Sequence, residues 1–130
     1  MTQNEPNAPQ PLVEHRTLES GVVLARVLAE FISDRPGHPP AEDILKELDH
    51  ALRTSTIGSI VVDLSAVQMI SSSGLGALVR LRKRAAHLGG RIAVFGLTKD
   101  LTEVVRLVRL DEVLGLRDSE AEAIDHASDI

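Results

Sequence analysis

The sequence predicts an α/β domain in which helices pack on a mixed, mostly parallel sheet of four to five strands. Two β-branched apolar runs, at 59–64 and 91–95, show little polar alternation, as expected for strands covered on both faces. Between them, residues 74–88 repeat apolar side chains at helical spacing. Such a strand–helix–strand unit is a right-handed crossover between parallel strands. At 130 residues, the chain is expected to form one domain.

The first half of the chain supplies the antiparallel edge and one helix. The run 21–28 is predicted to be a strand, and 13–18 is a candidate for its hairpin partner. The segment 33–40 is rich in Pro and Gly and is therefore predicted to be a loop. Apolar residues at helical spacing predict a helix at 41–52, with Pro40 directly before it.

The second half continues the alternation after the strand at 91–95. Gly89-Gly90 ends the helix predicted at 74–88. Thr98 is predicted to cap a third helix that runs to about Leu110. A short last strand is predicted at 113–116, and Ser119 begins a terminal helix. The buried face of the third helix is expected to consist of Leu101, Val104, Val105 and Val108.

Composition argues against several classes of function. The absence of cysteine excludes disulfides, thiol catalysis and cysteine-based metal sites. A net charge of −5 and only two aromatic residues argue against direct nucleic-acid binding. No apolar run has the length of a membrane span, so we expect a cytoplasmic protein with no membrane insertion. Residues 1–11 are expected to be a disordered lead to a domain at 12–130; the oligomeric state stays open.

Three consecutive serines stand where the predicted helix at 74–88 begins. Ser71, Ser72 and Ser73 precede Gly74-Leu75-Gly76. One hydroxyl at such a position caps the helix, and a phosphate there would face free backbone N–H groups and the positive end of the helix dipole. No capping box is possible, because glycine or leucine follows each serine by three residues. Both interpretations, a cap and a phosphate-carrying site, remain open from the residues alone.

Enzymatic chemistry finds little support in the motifs. The residues before the three serines lack the glycine of a nucleophile elbow. Gly74-Leu75-Gly76 lacks the third glycine of a dinucleotide fingerprint, and no phosphate-binding Gly-Lys-Ser/Thr triplet occurs. The five histidines have no triad or metal spacing. We therefore expect neither an enzyme nor a cofactor.

Charged residues provide two weaker candidates. Asp63 ends the strand at 59–64, where an acidic side chain either contacts a ligand or caps the loop at 65–70. A basic cluster follows in an otherwise acidic chain, and it is either a solvated helix face or a docking patch for an acidic partner. The cluster consists of Arg80, Arg82, Lys83, Arg84 and Arg91.

Several segments, in order, make the chain resemble the STAS domain of the bacterial anti-sigma factor antagonist family. The resemblance extends from about Val13 to Ala127. The segments that carry it are 61–65, 69–74, Gly74-Leu75-Gly76, 89–94 and 108–114.

The resemblance implies a non-enzymatic switch. Such domains bind an anti-sigma factor that is also a serine kinase; the kinase phosphorylates a loop serine, which breaks the complex, and a phosphatase reverses it. Ser72 matches the acceptor, with Ser71 and Ser73 as competitors. Residues expected to contact the partner are Ser71, Ser73, Gly74, Leu75, Gly76 and Asp63.

Two departures from the family pattern matter for the partner. Ser71 stands where the family usually has aspartate before the acceptor serine. A longer Pro-rich stretch at 29–40 replaces the usual Gly-x-Leu/Ile-Asp turn. With the helix from Gly74, that stretch would form the partner face. The alternative is a STAS subunit of a larger assembly, a lipid-transport ABC system or a signalling scaffold, without phosphorylation.

Overall fold

The computed structural model describes residues 10–129. The lead predicted at 1–11 therefore lies almost wholly outside the described residues. The elements in chain order are β1 (Val13–Thr17), β2 (Val23–Val27), β3 (Phe31–Ile32), α1 (Ala41–Leu52), β4 (Ile60–Asp63), β5 (Met69–Ile70), α2 (Ser72–His87), β6 (Ile92–Phe95), α3 (Lys99–Leu107) and α4 (Glu120–Ser128).

The main sheet confirms the predicted fold class. Its four strands have the order β1-β2-β4-β6, with β1 antiparallel to β2 and the other neighbours parallel. In the central strand, Val62 is in register with Ala25 of β2 and Val94 of β6. The chain is thus a single layered α/β domain.

Both faces of the central strand are covered. Val62 belongs to the large core that includes apolar residues of α1 and α2. Val61 points to the other face, where Ala123 and Ala127 of α4 complete a smaller core. This double burial explains why the strand has no polar alternation. Among residues 10–129, no helix is long and apolar enough to cross a membrane.

The structure contains a second, two-stranded sheet that the sequence pattern does not predict. β3 and β5 pair in parallel within segments predicted to be loops, with Phe31 opposite Met69 and Ile32 opposite Ile70. Two residues are too few to show a periodic pattern. The pair matters because β5 leads directly into α2.

Two boundaries near the C-terminus differ from the prediction. The strand predicted at 113–116 is reduced to one bridge between Leu116 and Val94. The third helix ends at Leu107 rather than near Leu110. Arg109 adopts a left-handed conformation (φ 63°), and the N–H of Leu110 donates to the carbonyl of Val105. This is a Schellman motif, and its left-handed position is strained for any residue other than glycine.

The burial of α3 also corrects the prediction. Leu101 and Val105 are buried, but Val104 and Val108 are 44% and 49% exposed, and Leu107 is 84% exposed. The apolar stripe of this helix is wider than the surface that the rest of the domain covers. The outer half of the stripe faces solvent.

Replacing Arg109 by glycine is expected to stabilise the domain. Glycine removes the strain of the left-handed conformation, but it also has more conformational freedom in the unfolded chain. The net increase in the free energy of unfolding is expected to be about 0.5–1 kcal/mol. Urea unfolding of wild type and variant measures the gain. Arg106→Gly, within the helical part of α3, is the control and should lose about 0.8 kcal/mol. A destabilised Arg109→Gly would contradict the strain argument.

We expect a histidine on α4 to make the stability of the domain depend on pH. Nδ1 of His126 lies 2.9 Å from Nη2 of Arg117. Because a guanidinium can only donate, Nδ1 accepts the hydrogen bond and the imidazole ring is neutral. Burial, followed by the positive charges of Arg117 and Arg91, lowers the pKa of His126. The acidic Asp125 and Asp129 oppose that shift.

Since the folded-state pKa of His126 is below the ordinary value of about 6.5, the unfolded chain binds more protons as pH falls. The stabilising contribution of neutral His126 is therefore present at neutral pH and is lost as pH drops below the ordinary pKa of about 6.5. As pH falls from about 7.5 to 5.5, the free energy of unfolding should decrease less in His126→Gln than in wild type, as measured by urea unfolding. His87→Gln, on the exposed surface of α2, is the matched control for replacing a histidine by glutamine. Equal losses in all three proteins would refute the role of His126.

Candidate functional site

Ser71 caps α2. It lies just before the helix with extended backbone (φ −81°, ψ 174°), and its Oγ accepts from the N–H of Gly74 at 3.2 Å. The helix consequently begins at Ser72, two residues earlier than predicted. The capping interpretation is thus correct for one serine and leaves the other two to be explained.

The cap is tied to β3. The N–H of Ser71 donates to the carbonyl of Ile32 at 3.0 Å, and its hydroxyl donates to the same oxygen at 3.4 Å. The hydroxyls of Ser71 and Ser73 lie 2.8 Å apart and share a hydrogen bond. Both hydroxyls are therefore engaged in holding the helix start.

Ser72 is different from its neighbours. It is the first residue of α2 and is exposed. Within residues 10–129, its hydroxyl has no hydrogen-bond partner. It stands beside first-turn N–H groups that lack acceptors within the helix. Ser72 is the one serine of the three whose hydroxyl is both accessible and uncommitted.

The two glycines after the serines have opposite surroundings. A Cβ on Gly74 would lie 2.0 Å from the Ile32 carbonyl oxygen, so the helix could not approach β3 so closely. A Cβ on Gly76 would meet nothing within 4 Å. Gly74 is required by the fold, whereas Gly76 leaves a bare stretch of exposed helix. Leu75 between them is half-buried.

A groove runs from Ser72 between α2 and the end of α3; we call it the α2–α3 groove. Its volume is about 520 Å³. The exposed Val108 extends its apolar surface toward the outer stripe of α3. The residues that line it are Ser72, Leu75, Gly76, Val79, Arg80, Lys83, Val108 and Leu110. The groove could not be predicted from the sequence, because the helical spacing of Val108 indicates a buried residue.

The predicted basic cluster divides into separate parts. Arg80 pairs with Glu42 at 3.0 Å and Arg84 with Asp49 at 3.6 Å, so these two join α2 to α1. Arg91 lies elsewhere, and its Nη1 donates to the carbonyl of His126 at 3.4 Å. Arg82 and Lys83 form no ion pair with any residue in 10–129, which leaves their charges to solvent or a partner.

Asp63 is not brought to the serines. Its Oδ1 accepts from the N–H of Ser65 at 2.9 Å, so it caps the turn after β4. Because side chains alternate along a strand, it lies on the sheet face of Val61, opposite to α2. There it borders a shallow groove of about 290 Å³ with Glu14 and Arg26. A role for Asp63 in partner binding stays a prediction.

The stretch at 29–40 is held by local contacts next to the cap. The ring of Phe31 contacts His38 edge-on at 4.7 Å between centroids, and the Arg35 guanidinium lies 4.8 Å from the Phe31 centroid. Asp34 accepts from the N–H of Ala41 at 3.2 Å, at the start of α1. β3 within this stretch therefore presents an ordered border to the serines.

A family model described as the STAS domain matches residues 38–123, which are 86 of the 130 residues. The chain belongs to the STAS domain family. The resemblance inferred from its residues is thus confirmed.

Related proteins extend the comparison. The anti-sigma F factor antagonist of Paenibacillus polymyxa is 24% identical over 104 residues, which cover 80% of this chain and 85% of that protein. An anti-sigma-factor antagonist (STAS) domain protein from Planctomyces limnophilus is similar in structure, with a TM-score of 0.69, 24% identity and coverage of 86% and 93%. The Bacillus cell fate determinant SpoIIAA in its phosphorylated form has a TM-score of 0.61, 19% identity and coverage of 87% and 96%. At these identities the two structures show a shared fold.

The two glycines provide a matched pair of substitutions. Gly74→Ala should destabilise the domain by about 1–3 kcal/mol, because the new methyl group overlaps a backbone carbonyl. Gly76→Ala should stabilise it by about 0.5–1 kcal/mol, since alanine is the better helix former and the position is open. Urea unfolding measures both. A change of the same sign in the two variants would be inconsistent with this geometry.

Proposed function

We propose that this STAS domain is an anti-sigma factor antagonist controlled by phosphorylation of Ser72. It binds an anti-sigma factor that is also a serine kinase, releases the sigma factor and thereby regulates transcription. The domain itself is a binding module and carries out no catalysis. The observation that carries the proposal is the exposed, unbonded Ser72 hydroxyl at one end of the α2–α3 groove.

The choice among the three serines follows from their hydrogen bonds. Transfer to Ser71 or Ser73 would first require breaking the bonds that hold the start of α2. Ser72 needs no such rearrangement. The kinase transfers the γ-phosphoryl group of ATP to the Ser72 oxygen, whose proton is lost, and ADP leaves.

Ser71 in place of the usual aspartate is compatible with this role. Serine and aspartate are both strong N-cap residues, so the cap is retained. The negative charge is not retained, so position 71 itself is neutral. We infer that the partner of this chain does not require a carboxylate at position 71.

The physical effect of phosphorylation supports a switch without refolding. A phosphoserine adds about −1.5 to −2 charges at neutral pH. Beside free first-turn N–H groups the domain itself tolerates that charge. A partner packed against the groove would have to desolvate it, which costs several kcal/mol and favours dissociation. A phosphatase restores the binding state.

The names of related proteins point the same way. The Paenibacillus polymyxa relative is named an anti-sigma factor antagonist, and SpoIIAA is known in a phosphorylated form. Ser72 is the residue of this chain best placed for the same modification.

Phosphoryl transfer tests the acceptor. The purified chain is incubated with ATP and the anti-sigma factor kinase of the same organism, and intact mass and peptide mapping locate the phosphate. Wild type should gain one phosphate, Ser72→Ala none, and Ser73→Ala should be labelled as wild type. The phosphorylated protein should bind the kinase at least about tenfold more weakly, the equivalent of roughly 1.4 kcal/mol.

Equal labelling of Ser72→Ala and wild type would disprove the acceptor assignment. If wild type takes up no phosphate and co-purifies with a transport or scaffold complex, the alternative of a STAS subunit in a larger assembly replaces this proposal.

A further inference from the structure

The α2–α3 groove combines an apolar floor with unpaired positive charge. Leu75 and Val79 of α2 form one side, and Val108 and Leu110 form the other. Leu107, the residue before Val108, is 84% exposed. An apolar surface next to a groove is typical of a site that a partner covers.

The rim of the groove carries cations that the domain leaves unneutralised. Lys83 lines the groove, and the exposed Arg82 precedes it on α2, where both line a neighbouring depression. In the part of the chain that the structure describes, neither forms an ion pair, whereas Arg80 and Arg84 are paired with α1. Arg109, between two lining residues, is also without an acidic partner there. Lys83 and Arg82 are thus two adjacent cations on α2 that are unpaired within residues 10–129, in a chain of net charge −5.

We propose that the α2–α3 groove binds a short amphipathic helix of the partner that carries acidic side chains along its edge. This identifies the chemistry of the docking segment and rests on the proposed function for the identity of the partner. Ser72 and Lys83 are 11 residues apart on α2, or roughly 16 Å, which matches a helix of about three turns. Apolar side chains repeating at helical spacing would fill the floor, and carboxylates would pair with Lys83 and Arg82.

The same chemistry accounts for the position of the switch. A phosphate on Ser72 would add negative charge at the end of a groove that holds an acidic segment. Like charges would then repel in addition to the desolvation cost. A neutral or basic segment would not be repelled in this way.

Two synthetic peptides test the proposal without kinase or ATP. Both are 14-residue helices with leucine at the same positions, and their flanking positions are glutamate in one and lysine in the other. Each is titrated into the ¹⁵N-labelled full chain and followed by NMR. The acidic peptide should shift amides at 75–83 and 107–110 and bind about three- to fivefold more tightly than the basic one, the size expected for one surface charge pair.

Matched charge reversals locate the contact. Lys83→Glu should weaken the acidic peptide by a similar factor and strengthen the basic one. Lys46→Glu makes the same change on the exposed surface of α1 and should alter neither. Val108→Ser should weaken both peptides, since it removes half-exposed apolar surface with little effect on folding.

The outcomes are decisive in both directions. The proposal would be overturned by equal affinity of the two peptides, by the absence of binding, or by amide shifts outside the groove. Equal effects of Lys83→Glu and Lys46→Glu would overturn it as well. Ser72 phosphorylation could still occur in that event, and a failure of phosphorylation would leave the peptide result standing. The two proposals therefore fail separately.

Discussion

The close approach of the α2 N-terminus to β3 is the constraint on which the rest of the site depends. The Ile32 carbonyl accepts from Ser71 and lies where any side chain on residue 74 would project. Only glycine at position 74 allows the helix to start so near the strand. Because the cap is fixed there, the next residue, Ser72, is placed on the surface with its hydroxyl free.

This arrangement separates the two tasks of the serine run. The hydroxyls of Ser71 and Ser73 form hydrogen bonds that hold the helix start. The Ser72 hydroxyl forms no hydrogen bond within residues 10–129, so its modification would not disturb the cap. Under the proposed function, a modification at Ser72 would therefore act on the partner and leave the fold of the domain as it is. Such a division suits a switch whose two states share one backbone.

The uncovered half of α3 gives the neighbouring surface its character. A helix with a wide apolar stripe normally meets enough neighbours to bury it. Here α3 contributes Leu101 and Val105 to the interior, while Leu107 stays outside. Val108, directly after α3, lines the same groove as Lys83 of α2, which gives the groove both apolar and positively charged surface. Ser72 lines the same groove, so under the proposed function one surface would serve both partner binding and its control.

What the sequence by itself determined is the α/β class, the strand and helix of the central crossover, the family and the position of the serine run at a helix start. These follow from long periodic segments and from several motifs in order, which local physics specifies strongly. Only the tertiary structure decided which serine caps and which is free. The strand that accepts from Ser71 lies 39 residues earlier and has only two residues, too short for a pattern. The exposure of Val104 and Val108 was likewise beyond sequence reasoning, because periodicity marks an apolar face but burial depends on whether another element packs against it.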